Sequence, residues 1–201
     1  MIITVSYRVG IFGFLSSPSE EPNLPPLSPY DEFHTDNVGL RDQLEAIEFI
    51  KTIAPTFNGD PTDITVLAQG TSAYHSIVQL FTGPYFTTKA SIKRLILVDS
   101  RLEADLLSRS FKQTRRENVS FQRDLALYLG CDVSSFKVMV ECLRERGHDE
   151  LSAATAMLLS QRPEGMYTAR PFGVVSDGQL VQGESLEGLH TNNHFSKIPK
   201  G

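Results

Sequence analysis

The chain has 201 residues, of which 40% are hydrophobic and 21% are charged, and its net charge at pH 7 is -5. These values are typical of a globular chain that can build one core, and they exclude a disordered one. The chain has no block of lysine and arginine, no apolar run of bilayer-spanning length and no signal-peptide pattern at residues 1–5, so we expect neither nucleic-acid binding nor membrane insertion.

Three segments rich in β-branched residues predict buried parallel strands: Ile2–Tyr7, Ile64–Leu67 and Arg94–Val98. Between the first two, apolar residues at spacings of three and four predict a helix that ends before Pro55; they are Leu40, Leu44, Ile47, Ile50 and Ile53. A second helix is predicted from Thr71 to Phe81, with Ile77, Leu80 and Phe81 against the sheet. This alternation of strands and helices predicts a doubly wound α/β fold.

The segment 18–36 is rich in proline, serine and acidic residues and lacks apolar periodicity, so it is predicted to be a surface loop. An ordered lid, a partner-binding loop and simply tolerated length all remain open for it. From Asn118 onward, three apolar groups predict short helices: Leu125, Leu127 and Leu129; then Val138, Val140 and Leu143; then Leu151, Met157 and Leu158. We expect one domain over residues 1–201, with the sheet in 1–100 and a helical region that returns toward the sheet in 101–201.

Three motifs follow one another in the N-terminal part of the chain: Ser6-Tyr-Arg-Val-Gly-Ile-Phe-Gly-Phe-Leu-Ser-Ser17, Val38-Gly-Leu-Arg-Asp-Gln-Leu-Glu-Ala-Ile47, and Asn58-Gly-Asp-Pro61 followed by Ile64-Thr-Val66. Together they resemble the type B carboxylesterase and cholinesterase family. The resemblance extends over essentially the whole chain and implies a partial α/β-hydrolase fold, truncated at both ends. It also implies that the acid and the histidine of the family's catalytic triad lie outside this chain.

In this family the nucleophilic serine stands in a G-x-S-x-G turn between a strand and a helix. The register fixed by Asp60-Pro61 places Gly70 on that serine, Gln69 on the residue before it and Thr71 on the residue after it. A glycine side chain has no atom that attacks a carbonyl, so the resemblance implies a vestigial elbow and no catalytic residue. One alternative remains open, because Gly70-Thr-Ser72-Ala-Tyr74 partly repeats the motif; Ser72 is then a displaced nucleophile, and otherwise only a first-turn helix residue.

The resemblance also implies a disulfide between Cys131 and Cys142, the only two cysteines, and a buried salt bridge between Arg8 and Asp42. Two reduced, buried thiols are the alternative for the cysteines. Asn118-Val-Ser120 is an N-glycosylation sequon. His75, in the helix after the elbow, is expected to cap or pack there. We expect no metal site, because the two cysteines have no neighbouring histidines, and no cofactor.

Three functions are consistent with these patterns. The leading interpretation is a catalytically inactive, cholinesterase-like domain that recognises a protein partner, similar to neuroligins and related adhesion molecules, and that is extracellular or membrane-tethered in its full-length context. The second is a carboxylic-ester hydrolase that acts on a small ester substrate through Ser72. The third is a non-functional fragment of a longer esterase-like protein.

Overall fold

The computed structural model describes residues 1–18, 35–82, 92–99, 110–161, 171–178, 180–181, 183 and 185. Its helices and strands, in chain order, are α1 (Ile11–Phe14), α2 (Val38–Ile53), a 3-10 turn (Ala54–Phe57), β1 (Ile64–Gln69), α3 (Thr71–Thr82), β2 (Ile92–Val98), α4 (Phe111–Tyr128), α5 (Phe136–Arg144) and α6 (His148–Ser160). The predicted strands at 64–67 and 94–98 and the predicted helices at 40–53 and 71–81 are therefore confirmed.

The two strands pair in parallel and α3 lies between them in the chain, as expected for a partial α/β-hydrolase fold. The register places Thr65 opposite Arg94 and Gln69 opposite Val98, with an irregularity after Ile64. Helices α2 and α3 both pack on the face of the sheet that carries Val66. The contacts there join Leu44 and Ile47 of α2 with Leu80 of α3 and with Val66 and Ile92 of the sheet.

The opposite face of this sheet is exposed. Leu67 is 67% exposed, Ile96 48% and Val98 42%, and these three side chains share one face. The expectation that both strands are buried is therefore wrong on this face. Because α2 and α3 lie on the same side, none of the described helices covers it, and a parallel sheet is normally covered on both sides.

The first predicted strand, Ile2–Tyr7, does not form. Residues 1–9 adopt no regular secondary structure, and Ile2 is 95% exposed. The segment nevertheless runs beside β1 in the same direction, since Met1 lies near Gly59, before β1, and the Tyr7 ring lies 6.0 Å from the ring of His75, in the helix after β1. A strand needs a ladder of backbone hydrogen bonds, and the only ladder among the described residues joins β1 to β2.

The main core is helical and joins α1–α6 to Phe172, Val174 and Val181. Its fully buried side chains include Phe111, Phe121, Leu125, Val140 and Val174. Phe121 meets Phe172 edge to face, with ring centroids 5.4 Å apart. Helix α4 starts well before the predicted Asn118, because Ser110 accepts a hydrogen bond from the Lys112 amide at 3.2 Å and so caps a longer amphipathic helix.

A disulfide joins Cys131, just after α4, to Cys142 in α5, which confirms the predicted pair. Of the predicted surface loop at 18–36, residues 19–34 lie outside the described residues. Its last two residues contradict the prediction, since Thr35 and Asp36 are buried. Asp36 can be buried because its carboxylate forms an ion pair with Arg115 at 2.9 Å. Both side chains of this pair are more than nine-tenths buried. Within the described residues, no helix is both long and apolar enough to cross a membrane.

Candidate functional site

Gly70 forms the tip of the turn between β1 and α3. Its φ of +60° lies in the left-handed region, which glycine adopts without strain. The Gly70 amide donates to the Val98 carbonyl at 3.0 Å, and its own carbonyl accepts from the amides of Ala73 and Tyr74 at the start of α3. A Cβ atom built on Gly70 would meet no heavy atom within 4 Å, so this turn leaves room for a side chain that the residue does not have.

Ser72 lies in the first turn of α3, not at the tip. Its hydroxyl donates to the Gln69 carbonyl at 2.7 Å and accepts from the Gln69 amide at 3.2 Å. Burial raises the Tyr7 pKa, and the neighbouring Ser72 and Gln43 side chains oppose the rise only in part. The Ser72 hydroxyl is therefore held by its own turn.

His75 is enclosed one turn further along α3. Only 4% of the residue is exposed, and Phe14 packs against its ring with centroids 4.9 Å apart. Burial lowers the pKa of His75 to about 4, so the imidazole is neutral at physiological pH. Its Nδ1 lies 3.2 Å from the Gln43 amide nitrogen, and the Gln43 carbonyl accepts from Gln79 at 3.0 Å. In this orientation Gln43 donates to Nδ1, which places the imidazole proton on Nε2.

Ester hydrolysis by a Ser-His-Asp/Glu triad requires an imidazole within hydrogen-bond reach of the serine hydroxyl and a third group that orients the imidazole. Among the described contacts, His75 meets Gln43 and three aromatic rings, but not Ser72. His75 thus packs, as predicted. His148 is exposed and stacks on Phe12 at 4.8 Å, whereas His34, His190 and His194 lie outside the described residues.

The predicted pair of Arg8 and Asp42 forms, but it is not buried. The guanidinium makes two hydrogen bonds to the carboxylate, at 2.5 and 2.7 Å, and the Arg8 amide adds a third at 3.1 Å. The hydrogen bonds from Arg8 lower the Asp42 pKa, and the carboxylate raises the Arg8 pKa. The Arg8 side chain is 57% exposed, because residues 1–9 lie on the surface, so the expected burial of this pair is wrong.

The structure also argues against glycosylation of Asn118. The side chain is completely buried, and its amide nitrogen donates to the Ser16 hydroxyl and to the Gly173 carbonyl, both at 2.8 Å. A glycan would be attached to this same nitrogen and needs access to solvent. Because the sequon lies on the inner face of α4, we correct the sequence-based expectation: Asn118 has a packing role in the folded chain.

Asn118 belongs to a polar cluster that the sequence analysis missed. Arg115, Asn118 and Gln122 lie at positions i, i+3 and i+7 of α4 and therefore share one face. They hydrogen-bond the backbone of residues 16–17 on one side and of residues 173 and 176 on the other. One signal in the sequence could have identified them. Their spacing is that of one helix face, and it places them beside the apolar residues of α4 that enter the core. This polar clasp fastens two distant chain segments to α4.

A surface cleft of about 430 Å³ lies between the end of α4 and α6. It is lined by Tyr128, Leu129, Glu150, Ala153, Ala154 and Met157. No part of the elbow contributes to it. Among the described residues, no group of three or more histidine, cysteine, aspartate or glutamate side chains is placed to hold a metal ion.

Comparison with known proteins gives one family. The family model described as "Carboxylesterase family" matches residues 1–199. Thyroglobulin of Bos taurus is 30% identical over 182 residues, or 90% of this chain and 6% of that protein. Neuroligin-3 of Homo sapiens is 29% identical over 181 residues, or 90% and 18%, and liver carboxylesterase 1 of Oryctolagus cuniculus is 30% identical over 155 residues, or 77% and 24%. The chain therefore spans at most 24% of the length of these relatives.

Proposed function

Because this chain belongs to the carboxylesterase family, we propose that it is a catalytically inactive, esterase-like domain that recognises a protein partner. The observation that carries the proposal is Gly70, which stands at the tip of the strand-to-helix turn with a φ of +60° and no side chain. An acyl intermediate needs an attacking oxygen or sulfur at this place. Gln69 and Thr71, on either side, are the remains of the elbow in this proposal.

The neighbouring side chains support the same proposal. Ser72 is the serine that follows the tip, two residues after Gly70, and its hydroxyl is engaged with both backbone groups of Gln69. The imidazole of His75 is buried, neutral and hydrogen-bonded to Gln43. A general base must reach the proton that it removes, either directly or through one water. These contacts stabilise the turn and the packing of α3 instead of preparing a serine for attack.

The test is hydrolysis of p-nitrophenyl acetate and of thiocholine esters by the full chain. We expect no turnover above the buffer rate for the natural sequence or for Ser72→Ala. Gly70→Ser is the informative variant, because it adds a hydroxyl at the tip without a base beside it, and we expect it to remain inactive as well. Turnover by the natural chain that disappears in Ser72→Ala would reject the proposal.

The second candidate is a carboxylic-ester hydrolase with Ser72 as its nucleophile and a small ester as its substrate. The similarity to liver carboxylesterase 1, at 30% identity over 77% of this chain, favours it. The two candidates are separated by covalent labelling with a fluorophosphonate, followed by peptide mass spectrometry. A phosphonylated Ser72 supports the hydrolase, whereas an unlabelled chain supports the inactive domain.

The proposed location is extracellular, or on a membrane through other parts of the full-length protein. The disulfide between Cys131 and Cys142 supports it, since such bonds persist in secreted and luminal proteins and are rare in the cytosol. A protein partner of such a domain would itself be extracellular, and it would bind an exposed surface of this chain under the same oxidising conditions.

A further inference from the structure

We propose that the cleft between the end of α4 and α6 binds a peptide segment of a partner protein in which a large apolar side chain stands next to lysine or arginine. This inference rests on the proposed recognition function and gives it a surface and a partner chemistry. The cleft is distinct from the elbow, because its lining comes from residues 128–129 and 150–157.

The shape and the lining favour an apolar side chain as the occupant. A volume of about 430 Å³ falls within the usual range of ligand sites. Leu129 and Ala154 contribute apolar surface to the lining, and the small side chain of Ala153 keeps the cleft open. Tyr128 and Met157 are 51% and 44% exposed, so a large part of each side chain is available to a bound group. Methionine adapts to different partners, and tyrosine is enriched among residues that dominate binding energy.

Tyr128 offers a hydrogen bond to a bound backbone. Its hydroxyl donates to the thioether sulfur of Met157 at 2.8 Å. A thioether is a weak acceptor, and a peptide carbonyl is a much better one. A segment that places a carbonyl at the mouth of the cleft therefore gains this hydrogen bond, while the Met157 side chain remains free to pack against the apolar group.

The charge at the cleft favours a cation beside that apolar side chain. The Glu150 carboxylate lines the cleft and forms an ion pair with Arg146 at 3.8 Å. Both side chains are partly exposed and this distance is too long for a hydrogen bond, so the Glu150 oxygens can still accept one from a bound cation. Asp124 is exposed and lies one helical turn before Tyr128, on the same face of α4. A lysine or arginine beside the apolar side chain thus complements the Glu150 carboxylate in the lining and the Asp124 carboxylate one turn before Tyr128.

The experiment uses the full chain with ¹³C-methyl methionine and three blocked nonapeptides. The test peptide is Gly-Ser-Gly-Lys-Leu-Lys-Gly-Ser-Gly; one control carries glutamate for both lysines, and the other carries glycine for leucine. We expect only the test peptide to shift the Met157 methyl resonance. Glu150→Gln should weaken binding about 1.4- to 5-fold, as for an exposed charge pair. Ala153→Trp, which fills the cleft, should abolish the shift, and Leu159→Ala, on another face of α6, should leave it unchanged.

Equal binding of the glutamate peptide, or full affinity in Glu150→Gln, would overturn the proposed partner chemistry. Absence of a Met157 shift, or an unchanged shift in a folded Ala153→Trp variant, would overturn the site itself. Circular dichroism establishes that each variant is folded. The two proposals fail separately, since ester turnover by a chain that still binds the peptide rejects the inactive domain and not the cleft.

Discussion

Two arginines bind aspartates in this chain, and their burial differs greatly. Arg8 pairs with Asp42 at the surface, with its side chain 57% exposed, whereas the Arg115 and Asp36 side chains are 8% and 7% exposed. Water and salt screen the first pair, so its contribution to stability is small. Arg115 also donates to the carbonyls of Ser17 and Ser176, so removing it takes a donor from both carbonyls and leaves the buried Asp36 carboxylate with hydrogen bonds from Ser17 but without its cation.

Arg115→Met and Arg8→Met form a matched pair of variants. We expect Arg115→Met to lower the free energy of unfolding by about 3 to 5 kcal/mol, because it leaves the buried negative charge of Asp36 without a cation. Arg8→Met should lower it by about 1 kcal/mol or less. Urea unfolding at pH 7 measures both. Equal losses in the two variants would contradict this assignment of buried and exposed pairs.

His75 makes folding sensitive to mild acid. Burial lowers its pKa in the folded chain from 6.5 to about 4, so below pH 6.5 the unfolded chain binds a proton that the folded chain does not. Stability therefore falls as pH falls between these values, by about 2 kcal/mol from pH 7 to pH 5. The Asp42 pKa is lowered by Arg8, so the contribution of that pair is lost only at lower pH, below the ordinary carboxylate range.

The variant His75→Asn tests this prediction. An asparagine retains an acceptor for the Gln43 amide but does not titrate, so its urea midpoint should change less between pH 7 and pH 5 than that of the natural chain. The variant also loses the packing of the His75 ring against Phe14. This loss is the same at both pH values, so comparing the pH dependences of the two proteins removes it. The same slope in both proteins would show that other groups cause the acid sensitivity.

At the scale of elements, α4 organises the C-terminal half of the described chain. Its apolar face supplies Phe121 and Leu125 to the core, its polar clasp holds residues 16–17 and 173–176, and its end is joined through Cys131 to α5. The disulfide closes a short loop with a sequence separation of 11, so it restricts the unfolded chain more than it changes the folded one.

Removing this disulfide should produce a moderate loss of stability. For the double variant Cys131→Ser and Cys142→Ser, we expect the free energy of unfolding to fall by about 2 to 3 kcal/mol or more, since a buried hydroxyl replaces the Cys131 sulfur. Reductant should destabilise the natural chain by a similar amount and leave the double variant unchanged. A natural chain that is insensitive to reductant would contradict the expected role of the bond.

At the scale of the whole molecule, the open face of the sheet dominates the surface chemistry. Leu67, Ile96 and Val98 form an apolar strip on this face of the sheet. Contiguous apolar patches of this kind mark contact surfaces or cause aggregation. The described residues supply no cover for it, so the isolated chain should associate with itself through this face.

Leu67→Lys combined with Ile96→Lys should therefore raise the fraction of monomer, because two charges oppose burial of the strip. Size-exclusion chromatography with light scattering, at several protein concentrations, measures this fraction. Phe49→Lys is the control, since Phe49 is 63% exposed on α2 and away from the strip. A natural chain that is monomeric and unfolds cooperatively would contradict the prediction and would also argue against a non-functional fragment.

Much of the local structure was predictable because its signals are short-range. The spacing of Leu40, Leu44 and Ile47 predicted α2, and the change of pattern around Gly70 predicted the turn between β1 and α3. The polar clasp was not predictable in the same way, because Arg115, Asn118 and Gln122 acquire their role only when residues 16–17 and 173–176 meet them. For the same reason the sequon at Asn118 was misinterpreted.

The sequence by itself determined the order of strands and helices from α2 onward, the glycine at the elbow, the cysteine pair and the family, since each depends on residue types at fixed spacings. Only the tertiary structure decided which of these groups are buried: Arg8 is exposed, Asn118 is enclosed, and one face of the sheet is open. The physical reason is that backbone geometry follows from neighbours in the chain, whereas burial depends on which distant segments pack against a side chain.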